Sequence, residues 1–561
     1  MKKKIYSLLL VCSFAVLESC TDLKEEILDE TLSAAKLTDK QAADGIIAPV
    51  YARLPDIFLH TNYFAIQEIS TDEAILPYRG GTDWGDNGIY LAMHQHTYQS
   101  TDPNIRNTWN LILQGISRAI TAINTLPTLN DPSAKVYLAE ARGMRAYYSM
   151  LTLDLFGLVF VKENIGETSK IIRGEEAFQY IKNELLAVEP DLDVSVGPGR
   201  LSKSAAWGLL ARLYMNAAVY RDIYGVPTFK PEEMDKVTEY CDKIISSGQF
   251  KLSPDYFSIF GSDNHTNQEL IFAIDQRAEL NGHNRMAYFS LSGDQFPLPA
   301  YPNANGTDGP AITSDFYRTW VDQYAPKDPA VADPRFHKQN LSIYTNPADS
   351  CVSDVNFNIN RGILRGQQYG LIRKNGVFLK CPDGKNFKVG KLFNDTRNRP
   401  TVPVVFTEKV DFTTAGSDYS SGFRVEKYEF SKKSVSGRNF GDADIVIIRL
   451  ADVYMMRAEA KLRKSNDAAG ALADVNFVRA ARTSPPPALT AMSLDILFKE
   501  RGFEFYWEML RRSDMIRFGK YEGTWTEKTN TDKLKRIFPI PQTAIDGSSN
   551  LPGYLKQNQG Y

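Results

Sequence analysis

Residues 199–215 read GRLSKSAAWGLLARLYM, and they decide the fold because they carry the pattern of a helix packed closely on its neighbours. Within the helix predicted over 201–221, apolar residues repeat at steps of four and three and so share one face. They are Ala206, Leu210, Leu213, Ala217 and Tyr220. The small residues Ala205, Gly208 and Ala211 allow a second helix to approach closely. The stretch therefore predicts a helix at a helix–helix contact.

Similar helices recur in pairs along the chain. Residues 132–156 repeat the small residues, at Ala139, Gly143 and Ala146, and end at Phe156–Gly157, which is typical of a helix end. Other segments with helical periodicity are 38–54, 104–126, 174–189, 231–247, 445–463, 467–482 and two stretches within 491–518. We expect a mainly α fold with a scaffold of tetratricopeptide-like helical hairpins of about 34 residues each. An irregular helical bundle is the alternative, because no strict repeat consensus is met.

The composition changes at residues 250–440, where glycine, asparagine, aspartate and proline interrupt short apolar runs. This section predicts an irregular, loop-rich cap with short strands, such as 270–274 and 402–406. Loops on a rigid scaffold are where binding residues concentrate. The predicted organisation is a helical repeat scaffold at 37–249, then the loop-rich ligand-binding half, then C-terminal helices and tail at 441–561 that pack back on the scaffold.

The first residues form a predicted lipoprotein signal peptide at 1–19. Lysines at positions 2–4 supply its positive start, and the apolar run that follows is shorter than the roughly 20 residues that span a bilayer. Cys20 follows Leu-Glu-Ser and fits a lipobox, so we expect lipid on its thiol, with Glu18 as the departure from the pattern. An ordinary signal peptide with an incidental cysteine is the alternative. The acidic tether at 20–36 would then hold the body on the membrane surface.

Composition places the chain among ordinary globular proteins. Hydrophobic residues make up 43% and charged residues 24%, which is unlike a disordered chain. The net charge of -2 offers no basic field for phosphates, so we discount nucleic acid as a partner. Aromatic residues reach 11%, and their faces are suited to stacking on sugars and peptide side chains.

The cysteines do not make a complete disulfide framework. Cys12 leaves with the signal peptide and Cys20 is the lipidation site, so Cys241, Cys351 and Cys381 remain. Cys351 and Cys381 could pair in an oxidising compartment, and Cys241 is expected to be a buried thiol. The pairing stays open at this point.

Several motifs occur in a characteristic order. They are the hairpin end at 146–157, GRLSKSAAWGLLARLYM at 199–215, RLADVYMMRAEA at 449–460, VNFVR at 475–479, ERGFEFYWEMLRRSDMIRFG at 500–519, PIP at 539–541 and QNQGY at 557–561. Together they resemble the SusD/RagB family of outer-membrane nutrient-binding lipoproteins. The chain departs from the family at Met509 and Leu510, where glycine is usual, and at Gln559, where proline is usual.

The resemblance implies a function as well as a fold. It implies a cell-surface lipoprotein of the outer membrane, facing outward, that captures an oligosaccharide. The protein would sit as a lid on a SusC-type TonB-dependent transporter and would deliver the ligand to it. The resemblance implies no catalysis. Capture of a peptide by the same type of complex is the alternative within binding functions.

The first candidate binding loop is residues 71–90, TDEAILPYRGGTDWGDNGIY, where glycines frame a tryptophan that we expect to be exposed. An indole face covers the apolar side of a sugar ring, and carboxylate, amide and guanidinium groups pair with its hydroxyls. The predicted ligand-binding residues here are Asp72, Tyr78, Arg79, Trp84, Asp86 and Asn87. For each aromatic residue the alternative is that it packs under its own loop.

A second candidate loop is residues 283–309, which the resemblance matches to the family's other aromatic contributor. Its predicted ligand-binding residues are Tyr288, Tyr301 and Asn303. Where starch-binding members place a tryptophan, this chain reads Asn-Gly-Thr-Asp-Gly-Pro, so specificity for starch is not expected.

A surface glycoside hydrolase is the third reading, and it rests on three glutamates. Glu500, Glu504 and Glu508 lie four residues apart on one predicted helical face, where paired carboxylates could act on a sugar. Arginines interleave with them, and Glu508 is expected to reach Arg511 or Arg512 by helical spacing. A salt-bridge network is therefore the favoured interpretation, and no catalytic residue is predicted.

Metal sites have no local signature in this sequence. His94 and His96 share a side only in a strand, no third ligand has a useful spacing, and a surface pair of histidines is expected. Asp-rich turns could hold calcium, although no EF-hand pattern appears. We predict no metal ligand and no required cofactor, with calcium left open.

Overall fold

The computed structural model describes residues 38–79, 84, 86–277, 284–295, 299, 306–344, 346, 350–410, 418–432 and 441–561. Outside the described residues lie the predicted signal peptide at 1–19, the tether at 20–36, Cys20, Tyr301 and Asn303. Within the described ranges, no helix combines the length and the apolar character that a bilayer crossing needs.

Helices form most of the regular structure. In chain order they are α1 Asp39–Tyr51, α2 Leu54–Ile57, α3 Ile89–Gln95, α4 Pro103–Thr125, α5 Pro132–Phe156, α6 Gly174–Val188, α7 Lys203–Arg221, α8 Pro231–Ser246, α9 Met286–Phe289, α10 Ser314–Tyr324, α11 Pro329–Ala332, α12 Leu450–Ser465, α13 Ala468–Ala480, α14 Leu494–Phe505, α15 Arg511–Arg517 and α16 Gln542–Gly547. The prediction of a mainly α fold is confirmed.

The strands are short, and most of them lie in the loop-rich section. They are β1 Ala74–Ile75, β2 Val159–Val161, β3 Lys170–Ile172, β4 Leu270–Ile274, β5 Ala311–Ile312, β6 His337–Lys338, β7 Cys351–Val352, β8 Arg361–Leu364, β9 Gly366–Gln367, β10 Tyr369–Leu371, β11 Arg373–Lys374, β12 Val377–Phe378, β13 Phe387–Lys391, β14 Phe393–Asn394, β15 Arg399–Pro403, β16 Val405–Phe406, β17 Arg424–Glu426 and β18 Ile445–Arg449. They pair in twos and threes rather than in one large sheet.

Side-chain caps explain where the scaffold helices begin. Asp102, Asp131 and Ser202 each accept a hydrogen bond from a backbone N–H in the first turn of α4, α5 and α7. Proline opens α4 and α5, where a backbone N–H would have no helical partner. Gly157, with φ of 67°, ends α5. Local chemistry therefore sets the helix ends close to where the sequence predicts them.

Helix α7 lies inside the scaffold, packed against α6 and α8, and most of its residues are buried. A Cβ at Gly208 would come within 2.9 Å of Ile448 in β18, so glycine is what allows this close approach. Further contacts join α4 with α5, α8 with α12, and α12 with α13. The predicted scaffold of helical hairpins is confirmed.

An antiparallel strand pair marks where the loop-rich section leaves and rejoins the helices. Strand β4 pairs with β18, and Ile274 lies opposite Ile445. The helix predicted from 445 onward is therefore wrong over 445–449. A run of β-branched residues there pairs with β4, because such residues suit a strand better than a helix. Helix α12 begins only at Leu450.

The predicted helical segment at 491–518 is interrupted in the middle. Helix α14 ends at Phe505 and α15 begins at Arg511. Between them, Trp507 and Met509 have φ of 64° and 60°, a left-handed conformation that an α-helix does not contain. The chain therefore turns sharply just after the glutamate-rich helix.

The turn changes the partners of Glu508. Its carboxylate binds Lys427 Nζ at 2.7 Å and Arg449 Nε at 2.8 Å. The prediction that Glu508 reaches Arg511 or Arg512 is wrong, because helical spacing does not continue through the turn.

Glu504 lies in a buried network of ion pairs. Arg335, Arg449 and Arg482 bind its carboxylate at 2.8, 2.7 and 2.7 Å. Burial opposes ionisation, but the guanidinium charges outweigh it and hold the pKa of Glu504 well below its ordinary value. Glu500 shares Arg335 with it. The predicted salt-bridge network is confirmed.

The two histidines predicted at the surface are buried. His94 belongs to α3, and its Nδ1 lies 3.1 Å from the carbonyl oxygen of Ile69. His96 follows the helix, and its Nε2 lies 2.8 Å from the carbonyl oxygen of Ser70. Burial lowers the pKa of His96 to about 3. The predicted surface pair is wrong, because both rings pack inward and are held by backbone oxygens.

Two of the three remaining cysteines are paired, and the third is free. Cys351 and Cys381 form a disulfide across 30 residues of chain, and Cys241 is a buried free thiol. The disulfide ties β7 to the turn that follows β12.

Candidate functional site

The two predicted binding loops meet beside a small sheet. Strand β1 pairs antiparallel with β5, and the backbone N–H of Thr313 donates to the oxygen of Glu73 at 3.0 Å. We call the described residues 76–79, 84 and 86–90 the Trp84 loop, and residues 306–310 the facing loop. Because both loops leave the same strand pair, they lie side by side.

Trp84 joins the two loops. Its Nε1 donates to the carbonyl oxygen of Thr307 at 2.8 Å. Its ring lies edge-to-face with Phe289 at 5.4 Å and with Tyr90 at 5.8 Å between centroids. The sequence predicts an exposed indole, but these neighbours leave the Trp84 side chain half-buried. Its φ of 62° is strained for a bulky residue, and such strain concentrates at functional sites.

Arg79 is buried under the two loops and is hydrogen-bonded to the facing loop. Its Nη2 donates to the oxygen of Gly309 at 2.8 Å, and its Nη1 donates to the oxygen of Ser421 at 2.6 Å. The side chain is 1% exposed, and burial together with neighbouring Arg424 lowers the pKa of Arg79 below its ordinary value. We correct its predicted role from ligand contact to positioning residue, because its guanidinium is occupied by backbone oxygens.

Asp72 and Tyr288 also lie below the surface of the site. Arg511 binds the Asp72 carboxylate through Nε at 2.7 Å and Nη2 at 2.8 Å. Tyr288 is completely buried in α9, where its backbone oxygen accepts from the N–H of Thr307 at 3.2 Å. Their predicted roles as ligand contacts are corrected in the same way. Both residues anchor the loops to the core.

Tyr78, Asp86 and Asn87 lie at the surface beside Trp84. Asn87 is exposed, and Tyr78 and Asp86 are half-buried. Asp86 Oδ1 accepts from the N–H of Gly88 at 3.0 Å, and a Cβ on Gly88 would lie 3.9 Å from the Tyr78 hydroxyl. Asn87 and Gly88 have φ of 58° and 74°, which makes the turn tight. The structure thus places an amide, a carboxylate, a phenol and an indole in one loop.

A cluster next to the facing loop was not predicted. Arg397 Nε donates to Asp308 Oδ2 at 2.9 Å, and the Arg397 guanidinium lies 4.7 Å from the ring centroid of Tyr419. Arg399 lies over the same ring at 5.5 Å. Asp308 directly follows Thr307, so the cluster borders the Trp84 contact. No periodic pattern links these residues, and only the tertiary fold brings them together.

Comparison with known proteins supports the resemblance found in the sequence. The model of the SusD family matches residues 411–561. The starch-binding protein SusD of Bacteroides thetaiotaomicron is 27% identical over 522 residues, which cover 89% of this chain and 85% of that protein. These matches support membership of the SusD/RagB family. The motifs at 449–460 and 500–519 fall within the matched residues.

Solved structures share the fold of this chain. A laminarin-binding SusD-like protein has a TM-score of 0.65 at 17% identity and covers 94% of this chain and 100% of its own. Surface glycan-binding protein A from Bacteroides thetaiotaomicron, in complex with laminarihexaose, has a TM-score of 0.64 at 18% identity and covers 93% and 100%. At these identities the likeness establishes the fold.

The same comparisons bear on catalysis. The matched relatives are named for binding starch, laminarin or surface glycans and not for a reaction. In this chain, Glu500, Glu504 and Glu508 are all buried in ion pairs. The three carboxylates on which a hydrolase would depend are therefore occupied by ion pairs.

One group of side chains could hold a metal ion. Among the residues that the structure describes, His265, Asp275 and Asp444 place ligand atoms within 4.8 Å of one another. His265 Nδ1 already lies 2.7 Å from Asp444 Oδ2, and Arg277 binds Asp275 at 2.7 Å. Burial raises the pKa of Asp444 to about 6. An imidazole with two carboxylates suits several metals, so the donor set does not single out calcium.

Proposed function

We propose that this SusD/RagB protein captures an oligosaccharide at the cell surface and delivers it to a SusC-type TonB-dependent transporter of the outer membrane. Lipid on Cys20 would hold it there. The names of its relatives support a glycan as the ligand class. The observation that carries the proposal is the Trp84 loop, where an indole on a strained backbone lies beside the exposed amide of Asn87.

The chemistry of the loop suits a sugar. Trp84 is fixed by its bond to Thr307, so part of an aromatic surface is presented without loss of side-chain freedom on binding. Asn87 is exposed and offers both a donor and an acceptor for hydroxyl groups. The Trp84 loop is therefore preorganised for stacking and hydrogen bonding together.

Calorimetry on the full-length protein in detergent tests the ligand. The probes are laminarihexaose, a xyloglucan oligosaccharide, maltohexaose and a mixture of peptides. Asn87→Ala should weaken binding of an oligosaccharide. Asn466→Ala is the matched control, because Asn466 is also exposed with positive φ, at 53°, but lies at the end of α12. Heat from peptides and none from sugars would replace the glycan with a peptide as the ligand.

Two further experiments test the anchor and the partner. Labelling of growing cells with radioactive palmitate should mark the wild-type protein and not Cys20→Ser. Affinity purification from outer membranes should recover a TonB-dependent transporter with the wild type. Recovery of the protein without such a transporter would reject the delivery role.

A further inference from the structure

A second cleft lies away from the Trp84 loop, between α10 and the strands β6, β8, β9 and β16. Its volume is about 720 Å³, and its lining includes Tyr317, His337, Gln339, Asn360, Arg365 and Gln367. We call it the Tyr317 cleft. Sites for small organic ligands commonly occupy about 300–1,000 Å³, so the cleft is large enough for several sugar rings.

One wall of the Tyr317 cleft is an ordered aromatic surface. The half-buried ring of Tyr317 lies edge-to-face with Phe423, with centroids 4.7 Å apart and planes at 69°. Phe336 lies 6.3 Å from Tyr317 on the inner side. Arg365 Nη1 donates to the Tyr317 hydroxyl at 3.1 Å. The ring is therefore held in place from several directions, and a fixed ring is a platform on which a sugar can stack.

The charged residues of the cleft are already compensated. Arg365 Nη2 binds Asp328 at 2.8 Å, and its guanidinium lies 4.8 Å from the ring centroid of Phe336. Glu408 binds Arg318 at 3.0 Å. Among the described residues of the lining, Arg365 and Glu408 thus each have a partner of opposite charge. A neutral ligand fits it best.

His337 presents an acceptor to the cleft. Its Nδ1 lies 3.3 Å from the carbonyl oxygen of Ile363, and a carbonyl can only accept, so Nδ1 carries the proton. Burial lowers the pKa of His337 and keeps the ring neutral. Nε2 is then left as a hydrogen-bond acceptor.

Three amides have one end fixed by the backbone. Gln339 Nε2 donates to the oxygen of Leu341 at 3.2 Å, and Gln367 Nε2 donates to the oxygen of Gln368 at 2.8 Å. Asn360 Oδ1 accepts from the N–H of Leu341 at 3.0 Å. Contacts with the described residues do not engage the opposite ends of these amides. The cleft thus has acceptors at two glutamines and a donor at Asn360.

We propose that the Tyr317 cleft is a second carbohydrate-binding site, which takes a neutral oligosaccharide with one ring stacked on Tyr317. The available polar atoms are mostly acceptors, at His337, Gln339 and Gln367, so the ligand must bring several donors. A neutral molecule that is dense in donors and has an apolar face is a sugar, since its hydroxyls donate and its C–H face stacks.

One segment of chain contributes to both sites. Residues 418–424 carry Tyr419 and Ser421 beside the Trp84 loop and Phe423 in the wall of the Tyr317 cleft. When a long glycan is bound at one site, its effective concentration at the other site rises. The second site would therefore favour long chains over short ones.

Hydrogen–deuterium exchange on the full-length protein in detergent tests the proposal. The probes are partial hydrolysates of neutral α-glucan, β-glucan, xylan and mannan, with a peptide digest as a separate arm. At least one neutral hydrolysate should protect backbone amides in 337–341 and 361–369. Tyr317→Ala should raise the sugar concentration needed for that protection about tenfold or more. Tyr317→Phe, which keeps the ring, should retain it.

Tyr180→Ala is the matched control. Tyr180 is also a half-buried helical tyrosine, and its ring lies 6.0 Å from the Arg145 guanidinium, against 5.9 Å between Tyr317 and Arg365. It should leave protection of the cleft unchanged. Protection by peptides alone, or no protection that depends on Tyr317 with any hydrolysate, overturns the proposal. Protection at 86–90 and 306–309 is read separately, so failure of the second site is distinguishable from failure of the proposed function.

Discussion

Trp84 Nε1 and the carbonyl oxygen of Thr307 are joined by a hydrogen bond of 2.8 Å, although 223 residues separate them in the chain. The bond connects two loops that the sequence presents as separate candidates. It also removes the one polar group of the indole from competition with a ligand. Trp84 therefore acts at once as a strut between loops and as an aromatic surface.

Trp84→Ala should weaken oligosaccharide binding by about 2 kcal/mol or more, because it removes the stacking surface and the strut together. Trp84→Phe keeps an aromatic ring and loses the bond to Thr307, so its loss should be smaller. Calorimetry with an oligosaccharide that binds the wild type measures both. Equal affinity for wild type and Trp84→Ala would show that the loop is not the site.

Arg79→Met should lower the free energy of unfolding by about 3 kcal/mol, because the buried oxygens of Gly309 and Ser421 lose a charged donor. Urea denaturation measures the change. Arg318→Met is the control, since the Arg318 side chain is 71% exposed and makes a surface ion pair. Similar stability of the two variants would argue against a positioning role for Arg79.

Glu504→Gln should lower the free energy of unfolding by about 3–5 kcal/mol, because three buried arginines lose a shared counter-charge. Glu176→Gln serves as the control, since Glu176 pairs with Lys170 on the surface. An assay for new reducing ends on incubated glycans should give the same background for wild type and variant. Glycan cleavage that disappears in Glu504→Gln would instead restore the hydrolase reading.

Stability should fall in acid because of Glu459. Burial opposes its ionisation, but Arg517 and Arg463 outweigh burial and lower the pKa of Glu459 to about 2 from 4.5. A lowered carboxyl pKa stabilises the native state fully above about pH 4.5, and the gain is lost as pH falls toward about 2. It amounts to about 3 kcal/mol. The difference in unfolding free energy between wild type and Glu459→Gln should therefore shrink below pH 4.5, and a constant difference would refute the assignment.

Much of the scaffold could be predicted from sequence because its signals are local. The apolar repeats and the helix-end residues predicted α4, α5 and α7 nearly to their ends, and the structure adds side-chain caps at Asp102, Asp131 and Ser202. The errors arose where a distant partner decided the structure. Strand β18 exists because β4 lies beside it, and the break after Phe505 serves ion pairs with residues far along the chain.

The candidate site was predicted as a region and not residue by residue. Arg79 binds a residue 230 positions away and Asp72 one 439 positions away, so no sequence window contains the contact that buries either side chain. Tyr288 and Trp84 look alike as aromatic residues in loops, yet one is in the core and the other is half-buried. Tyr419 and Arg397 carried no signal, because their stacking depends on how two loops meet.

The β4–β18 pair has a consequence for how the protein can change over evolutionary time. The chain leaves the scaffold after Ile274 and returns to it at Ile445, and these two residues are paired with each other. Insertions, deletions and exchanges within that excursion need not shift the register of the helices on either side, because the two ends stay fixed to each other. Loops of this half that leave Arg335 and Lys427 in place, as the partners of Glu504 and Glu508, can therefore vary while the helical frame stays the same.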